Sequence, residues 1–287
     1  MPENSSGYTP DVPLLKPVDV DAEVLSNARL SSEYNVVSLS APVIASHSRP
    51  GQFVMVKCGL QSEPLLRRPF SIFEILHDPQ RNISGLSLLN KTVGIVTEML
   101  FNLEPGDRLR CLGPLGQPFS VVNAPTEAWM GAGGVGLAPF LTLAETLKSN
   151  KVKTTLFYGG RSVDDLYYLE RFKKLGVRLV LTTEDGTQGE KGLITVPLAR
   201  KLENMSASCQ LQLYACGPTG MMHEVATLGQ SYGRKSEVSL EPLMGCGLGG
   251  CYSCVVPIKN ADNNHFIRSC LEGPVFSGDR IAWDKLT

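Results

Sequence analysis

From about Val20 to Leu112, apolar and β-branched residues come in short runs cut by glycine and proline: YNVVSLSAPVI, GQFVMVKC, RRPFSIFEI, ISGLSLLN and DRLRCL. Many short strands at close spacing predict an antiparallel β-barrel. Inside that stretch IVTEMLFNL spaces its apolar residues as a helix does, and EPGD after it predicts a turn into the next strand. After about Val121 the period changes. Strand-like runs now alternate with amphipathic ones: EAWMGAGG and LAPFLTLAETLKSN, KTTLFYGG and DDLYYLERFKKLG, VRLVLTTEDG and LITVPLARKLEN, QLQLYACG and PTGMMHEVATLGQSYG. In the first helical run Leu137, Phe140, Leu141 and Ala144 share one face. Such alternation predicts a parallel sheet with helices on both faces. From about Ser236 the helical spacing stops and a glycine-cysteine segment begins. The predicted architecture is multi-domain: a flexible lead-in over 1–19, an antiparallel β-barrel over 20–120, an α/β parallel-sheet domain over 121–235 and a small cysteine module over 236–287.

Composition narrows the function. At 287 residues, 43% hydrophobic and 19% charged, the chain has material for about two domains and a module. A formal net charge of −1 without a long basic run gives no footprint for nucleic acid or an anionic membrane surface. No run approaches the ~20 apolar residues of a membrane span, and the opening MPENSSGYTPDVPLLKPVDV lacks the basic flank and apolar core of a signal peptide. A cytoplasmic location is expected. There, eight cysteines are not four disulfides. Cys58, Cys111 and Cys209 read as buried small hydrophobes.

Four of the eight fall in MGCGLGGCYSC and just beyond it: Cys246, Cys251, Cys254 and Cys270. A disulfide, a zinc site or an iron-sulfur cluster could use them. The spacing C-x4-C-x2-C with a later cysteine is the plant-type two-iron pattern. Zinc ribbons carry two C-x2-C knuckles, whereas this chain supplies only Cys251-Tyr252-Ser253-Cys254. Glycines at 245, 247, 249 and 250 suit a loop wrapped closely round a cluster, with N–H groups turned toward sulfur. Three further segments have chemical content. Gly131, Gly133, Gly134 and Gly136 lie between a predicted strand and helix, as a phosphate-binding turn requires, although tight packing alone also needs such a turn. No acid follows about 20 positions on; Tyr158-Gly159-Gly160-Arg161-Ser162 stands there instead. Cys216-Gly217-Pro218 follows the last predicted strand of the α/β domain, at the sheet edge where ligands of open α/β sheets bind. Arg67-Arg68-Pro69-Phe70-Ser71 sits at a barrel edge and reads either as a phosphate and flavin clamp or as a solvated basic pair.

Together RRPFSI, GAGGVGLAPF, YGGRS, TTEDGTQGEKG, YACGPTGMM and MGCGLGGCYSC with RSCLEGPVF resemble the electron-transfer subunits of NAD-dependent dihydroorotate dehydrogenase, within the ferredoxin-reductase-like superfamily. The resemblance runs from about Val20 onward, and its four-cysteine module is the part specific to that branch. It implies FAD on the barrel, held by Arg68, Pro69, Phe70, Ser71, Gly94 and Thr97, with Val96 standing where the family has a glycine. It implies NAD at Gly131, Gly133, Gly134, Gly136, Arg161, Gly217 and Pro218, with Cys216 beside the nicotinamide as the catalytic position. It implies a [2Fe-2S] cluster on Cys246, Cys251, Cys254 and Cys270. The partner it implies is an FMN-containing catalytic subunit in a heterotetramer. That (β/α)8 barrel needs about 250 residues, so it must be a separate chain. Leu248 and Tyr252 are then candidate contacts at the interface, packing around the cluster being their other role. Arg161 and Ser162, helped by Lys153 or Arg171, are the residues that could meet the 2'-phosphate of NADP.

Two rival readings carry other expectations. A flavin subunit of a ferredoxin:NAD(P), sulfide or hydrogenase-type oxidoreductase keeps the cofactors and changes the partner; related subunits often carry aspartate at the first cysteine position, so Cys246 favours dihydroorotate. A zinc-stapled adaptor with a relic nucleotide fold has no redox chemistry.

Overall fold

The computed structural model describes residues 16–58, 64–259 and 265–286. Most of the lead-in expected over 1–19 therefore lies outside the described residues. The first sheet contains seven strands: β1 (Val18–Arg29), β2 (Tyr34–Ser40), β3 (Phe53–Cys58), β4 (Arg68–Ser71), β5 (Glu74–His77), β6 (Ile83–Lys91) and β7 (Arg108–Leu115). Their order is β4-β3-β7-β1-β2-β6-β5, every pair antiparallel, and the sheet curls into a half-barrel. Its inner face buries Val24, Val37, Leu39, Val54, Val56, Leu86, Leu88, Leu109 and Cys111. Helix α1 (Pro42–His47) follows β2 directly. The run YNVVSLSAPVI thus splits into strand and helix, because Pro42 lacks an N–H and takes the first helical position, where none is needed. Helix α2 (Ile95–Phe101) plugs the half-barrel with Val96 and Leu100. The Asn27 amide donates to the Leu100, Phe101 and Leu103 carbonyls, satisfying acceptors that the helix end leaves free.

The second sheet is parallel from β8 (Glu127–Gly133) through β9 (Thr154–Gly160), β10 (Arg178–Thr183), β11 (Glu190–Lys191), β12 (Leu211–Cys216) and β13 (Lys235–Ser239). Helices α3 (Phe140–Ser149), α4 (Leu169–Lys174), α5 (Thr195–Glu203) and α6 (Thr219–Ser231) make the crossovers. Leu137, Phe140, Leu141 and Ala144 are all buried, with Leu137 on a short 3-10 turn ahead of α3. The two sheets share a core, since Val36, Phe73 and Leu89 of the half-barrel join Leu137, Tyr158 and Leu166 of the α/β region. Phe73 meets Tyr168 edge-on at 4.7 Å. Phe73→Ala would remove that contact at a cost of about 3–5 kcal/mol.

The cysteine segment is threaded through this frame. The boundary read at 235/236 falls inside β13, whose outer neighbour is β16 (Val275–Ser277), antiparallel and drawn from beyond the last cysteine. Between them lie the hairpin β14 (Val255–Ile258) and β15 (His265–Arg268) and the one-turn helix α7 (Ser269–Glu272), which helical spacing did not show. No helix among the described residues is long and apolar enough to cross a membrane.

Candidate functional site

The cysteine loop rests on the half-barrel. Met244, Cys254 and Cys270 bury with Phe53, Met55, Leu112 and Leu115, so β3 and β7 form its floor. Gly247 has φ +73°, and a Cβ there would meet Met55 Cγ at 2.5 Å. Gly249, at φ +80°, would meet Leu271 Cδ1 of α7 at 2.6 Å. Both glycines are thus required by close approach as well as by conformation.

The four sulfurs fall in two pairs. Cys254 and Cys270 are buried with their Sγ atoms 3.2 Å apart. Cys246 and Cys251 neighbour one another on the outer side, where Cys251 is exposed. The Leu248 N–H donates to Cys246 Sγ at 3.3 Å, and Ser253 Oγ lies 3.1 Å from Cys251 Sγ. Hydrogen bonds from Ser253, above all from its side chain, bring the Cys251 thiol down to about 6, whereas burial first and the neighbouring Cys254 second push Cys270 up to about 12. Among the described residues no three His, Cys, Asp or Glu side chains converge tightly enough for one metal ion. An all-sulfur set in two pairs, lined by N–H and O–H donors, fits a two-iron cluster with two thiolates per iron and does not fit a single zinc. Around it Leu243, Leu248, Tyr252 and Leu271 are exposed, an apolar rim on a loop that also carries an exposed thiol.

A cleft of about 910 Å³ opens at the carboxyl ends of β8, β9, β10 and β12. Gly133, Gly134 and Gly136 line it with Gly217 and Pro218, and Gly131 lies on β8 behind them. A Cβ on Gly136 would fall 2.3 Å from the Cys216 carbonyl oxygen, and one on Gly133 would fall 2.6 Å from Pro218 Cδ. The two turns therefore press together, and the glycines serve packing besides leaving backbone open to a ligand. Thr182 is buried in the lining with no hydrogen-bond partner for its hydroxyl, an orphan a nucleotide would satisfy. The residues present fit a dinucleotide.

Cys216 is fully buried under its turn, and burial raises its thiol well above the usual range. Its Sγ lies 3.9 Å from Glu241 Oε1. Glu241 was not foreseen from sequence; the signal was an acid in SLEPLMG, directly between β13 and the cysteine loop. It is exposed and lines the cleft, and the protein packed around its carboxyl pushes it upward.

Arg161 lines the same cleft but is already engaged. Its guanidinium donates to Asp165 at 2.9 and 3.1 Å and to Glu33 at 3.2 Å, while its backbone N–H also reaches Asp165. Tyr34 Oη donates to the same buried carboxylate at 2.9 Å, and Lys91 stands 3.9 Å away. The Arg161 hydrogen bonds, first among several causes, hold the Asp165 carboxyl down at about 2. Tyr34, Glu33 and Lys91 come from the half-barrel side, so this cluster fastens the two sheets beside the cleft mouth. Ser162 caps the turn that carries Asp165. Lys153 pairs with Glu127 at the opposite end of β8 and β9, and Arg171 pairs with Glu74 and Glu145; neither faces the cleft. Cys209, read as buried, is half-exposed after α5, whereas Cys58 and Cys111 are buried as read.

The flavin segment Arg68–Ser71 is edge strand β4, half-buried along its length, with Phe70 packed on the half-barrel core. The Arg68 guanidinium donates to the Leu66 and Arg67 carbonyls, and Arg67 pairs with Asp19. At the start of α2 the Thr97 hydroxyl accepts from the Val93 and Gly94 N–H groups at 2.8 and 2.9 Å. Gly94 is extended and a Cβ there would meet nothing within 4 Å. Val96 turns into the core, so it does not obstruct the outer surface beside Gly94. Thr92 Oγ1, two residues before, is buried without a partner. These residues fit a flavin nucleotide. β4 and the cysteine loop are one residue apart, because Met55, which touches the Gly247 position, is the register partner of Pro69.

A parallel nucleotide sheet beside an antiparallel half-barrel, with a cysteine loop between them, defines an NAD-linked flavin and iron-sulfur reductase of the ferredoxin-reductase type. Residues 130–227 match the oxidoreductase NAD-binding domain, and residues 241–282 match the iron-sulfur cluster binding domain of dihydroorotate dehydrogenase B. The chain is 38% identical over 264 residues to the "Dihydroorotate dehydrogenase B (NAD(+)), electron transfer subunit" of Desulforamulus reducens, covering 92% of this chain and 98% of that one. The protein of the same name from Fusobacterium nucleatum subsp. nucleatum is 32% identical, over 89% and 95% of the two chains. Among solved structures, a chain of an NADH-dependent reduced ferredoxin-NADP oxidoreductase superposes with a TM-score of 0.79 at 27% identity, over 92% and 91% of the chains. The ferredoxin reductase of carbazole 1,9a-dioxygenase shares the fold, with a TM-score of 0.66 at 22% identity over 78% of this chain and 68% of that one. The chain belongs to the family of electron-transfer subunits of dihydroorotate dehydrogenase B.

Proposed function

We propose that this chain takes electrons from dihydroorotate oxidised on an FMN-bearing catalytic subunit and delivers them through a [2Fe-2S] cluster and FAD to NAD⁺, as a step of pyrimidine biosynthesis. The observation that carries the reading is the convergence of three sites. The cysteine loop touches Met55 beside Pro69 of the flavin strand, and Glu241 joins that loop to Cys216 and the nucleotide cleft. When bound, FAD supplies the conversion between two-electron hydride exchange and one-electron transfer.

The protein's part is to hold and to exclude. Arg68, Pro69, Phe70, Ser71, Gly94 and Thr97 hold FAD along β4 and the start of α2. Gly133, Gly134, Gly136, Gly217 and Pro218 leave backbone open to NAD, with Gly131 packed behind them, and Cys216 sits behind the nicotinamide position. Arg161 acts through Asp165 and Glu33, keeping the half-barrel and the cleft in one alignment. Cys246, Cys251, Cys254 and Cys270 bind the irons. The exposed rim of Leu248 and Tyr252 meets the catalytic subunit, in a heterotetramer in the cytoplasm.

The test is reconstitution of anaerobically purified chain with a dihydroorotate-oxidising partner, following NADH formation and co-elution, for the natural chain and for Leu248→Asp. Dihydroorotate-dependent NADH with the natural chain, and loss of co-elution in the variant, is the expected result. An unchanged variant removes the interface. A ferredoxin partner that supports NADH formation where the dihydroorotate-oxidising one does not replaces the donor, an outcome kept open by the likeness to the NADH-dependent reduced ferredoxin-NADP oxidoreductase.

A further inference from the structure

Two different kinds of donor face the outer sulfur pair. The Leu248 N–H reaches Cys246 as part of the main chain, but the donor at Cys251 is a side chain, Ser253 Oγ, 3.1 Å from the sulfur. The same oxygen accepts the Gly245 N–H at 2.8 Å. A hydroxyl has one proton. With its oxygen already receiving an N–H, and with Cys251 able only to accept once it is the thiolate a metal needs, that proton has one direction: toward the sulfur. Ser253 is thereby held at both ends, one to the loop's beginning and one to a cluster ligand. It lies on the exposed side of the loop, next to Tyr252 at φ +58°.

Reduction of a [2Fe-2S] centre adds one electron to an anionic cage of sulfur. A donor to sulfur stabilises the reduced form more than the oxidised one and raises the potential. We propose that Ser253 tunes the potential of the cluster through an O–H···S bond to Cys251, a claim that rests on the cluster assignment above. The serine makes the cluster a better electron acceptor than the backbone cage alone would make it. It is a positioning and tuning residue, with no contact to either substrate.

The experiment is an EPR-monitored redox titration of the whole chain, comparing natural protein with Ser253→Ala and with the isosteric pair Ser253→Thr and Ser253→Val. Iron, acid-labile sulfide and flavin are measured on each sample. The expected result is that Ala and Val make reduction about tenfold less favourable, equal to 59 mV for a one-electron couple, while Thr restores the natural value and the flavin potential stays in place. EPR reads only loaded centres, so partial cluster loss in a variant does not blur the comparison. A loaded Ala or Val variant with an unmoved potential overturns the role of Ser253. Should neither take up a cluster, the Fe–S(Cys) resonance Raman bands of natural and Thr protein decide: a shift that Ser and Thr share on mixing into D2O, before the slower backbone N–H groups such as that of Leu248 exchange, supports the bond, and its absence overturns it. Natural protein without about two irons and two sulfides per chain would sink the cluster assignment instead.

Discussion

In the nucleotide cleft, the residues that face a ligand stand at the ends of strands that bury large side chains, Phe157 and Tyr214 among them. In the cysteine loop no strand or helix runs between Ser239 and Val255. The cleft is shaped by sheet register and by glycine turns pressed together. The loop is shaped by an apolar floor of Met55 and Leu115, by a few hydrogen bonds and by the two sulfur pairs. One site is complete in its backbone, while the other reaches its full strength only when metal ties the pairs together. Stability and cofactor content should therefore be uncoupled in the first region and coupled in the second.

The largest effect is expected from Cys254→Ser. Its sulfur is buried against Cys270, and the variant should fall from about two irons and two sulfides per chain toward none. Hydrogen exchange should then quicken across 244–254 and leave 127–133 protected. Equal quickening in both regions breaks the comparison, as does an unprotected loop in the loaded protein.

A pair of glycines sharpens it. Gly247→Ala puts a methyl group on Met55 at a left-handed position and should cost about 2–3 kcal/mol, read as a lowered Tm together with lowered iron content. Gly94→Ala meets nothing and should leave Tm unchanged. If a phosphate of FAD approaches Gly94, flavin affinity falls in that variant although stability does not.

A smaller effect than that of Gly247→Ala concerns the clamp between the sheets. The folded-state pKa of Asp165 is depressed by Arg161 to about 2, below the ordinary 3.8. Its contribution is therefore present above about pH 4 and is lost as pH falls through 2, amounting to roughly 2 kcal/mol. Asp165→Asn should lower Tm at pH 7 and flatten the fall in Tm between pH 4 and pH 2. An equally steep fall in the variant shows that other carboxylates govern that window.

The same division explains how far the amino-acid pattern could be read. The cysteine spacing and the glycine turns are legible because each is a short pattern of residue types, with Cys270 only 16 positions beyond Cys254, and the βα alternation announces the parallel sheet through its change of period. Pairings between distant segments leave no local trace. Tyr34 and Asp165 are 131 residues apart, and neither sits in a motif. Arg161 stands where a 2'-phosphate contact would be sought, but two carboxylates from different regions claim it first. Glu241 lies in no motif either, and only the close approach of β12 and the chain after β13 brings it to Cys216. Helix α1 was lost because its six residues follow a strand with no polar break.

The neck formed by β13 and β16 gives the cysteine segment an unusual kind of portability. Val238 and Phe276 are register partners, so the excursion between them leaves and re-enters the sheet across one antiparallel pair, with Cα atoms about 5 Å apart. A graft of this segment needs from its host an adjacent pair of edge strands, an apolar floor like Met55 and Leu115, and donors to the Leu271 and Gly273 carbonyls like those of Gln117. Transplanted that way, an electron-carrying plug could be fitted to a nucleotide sheet that has none.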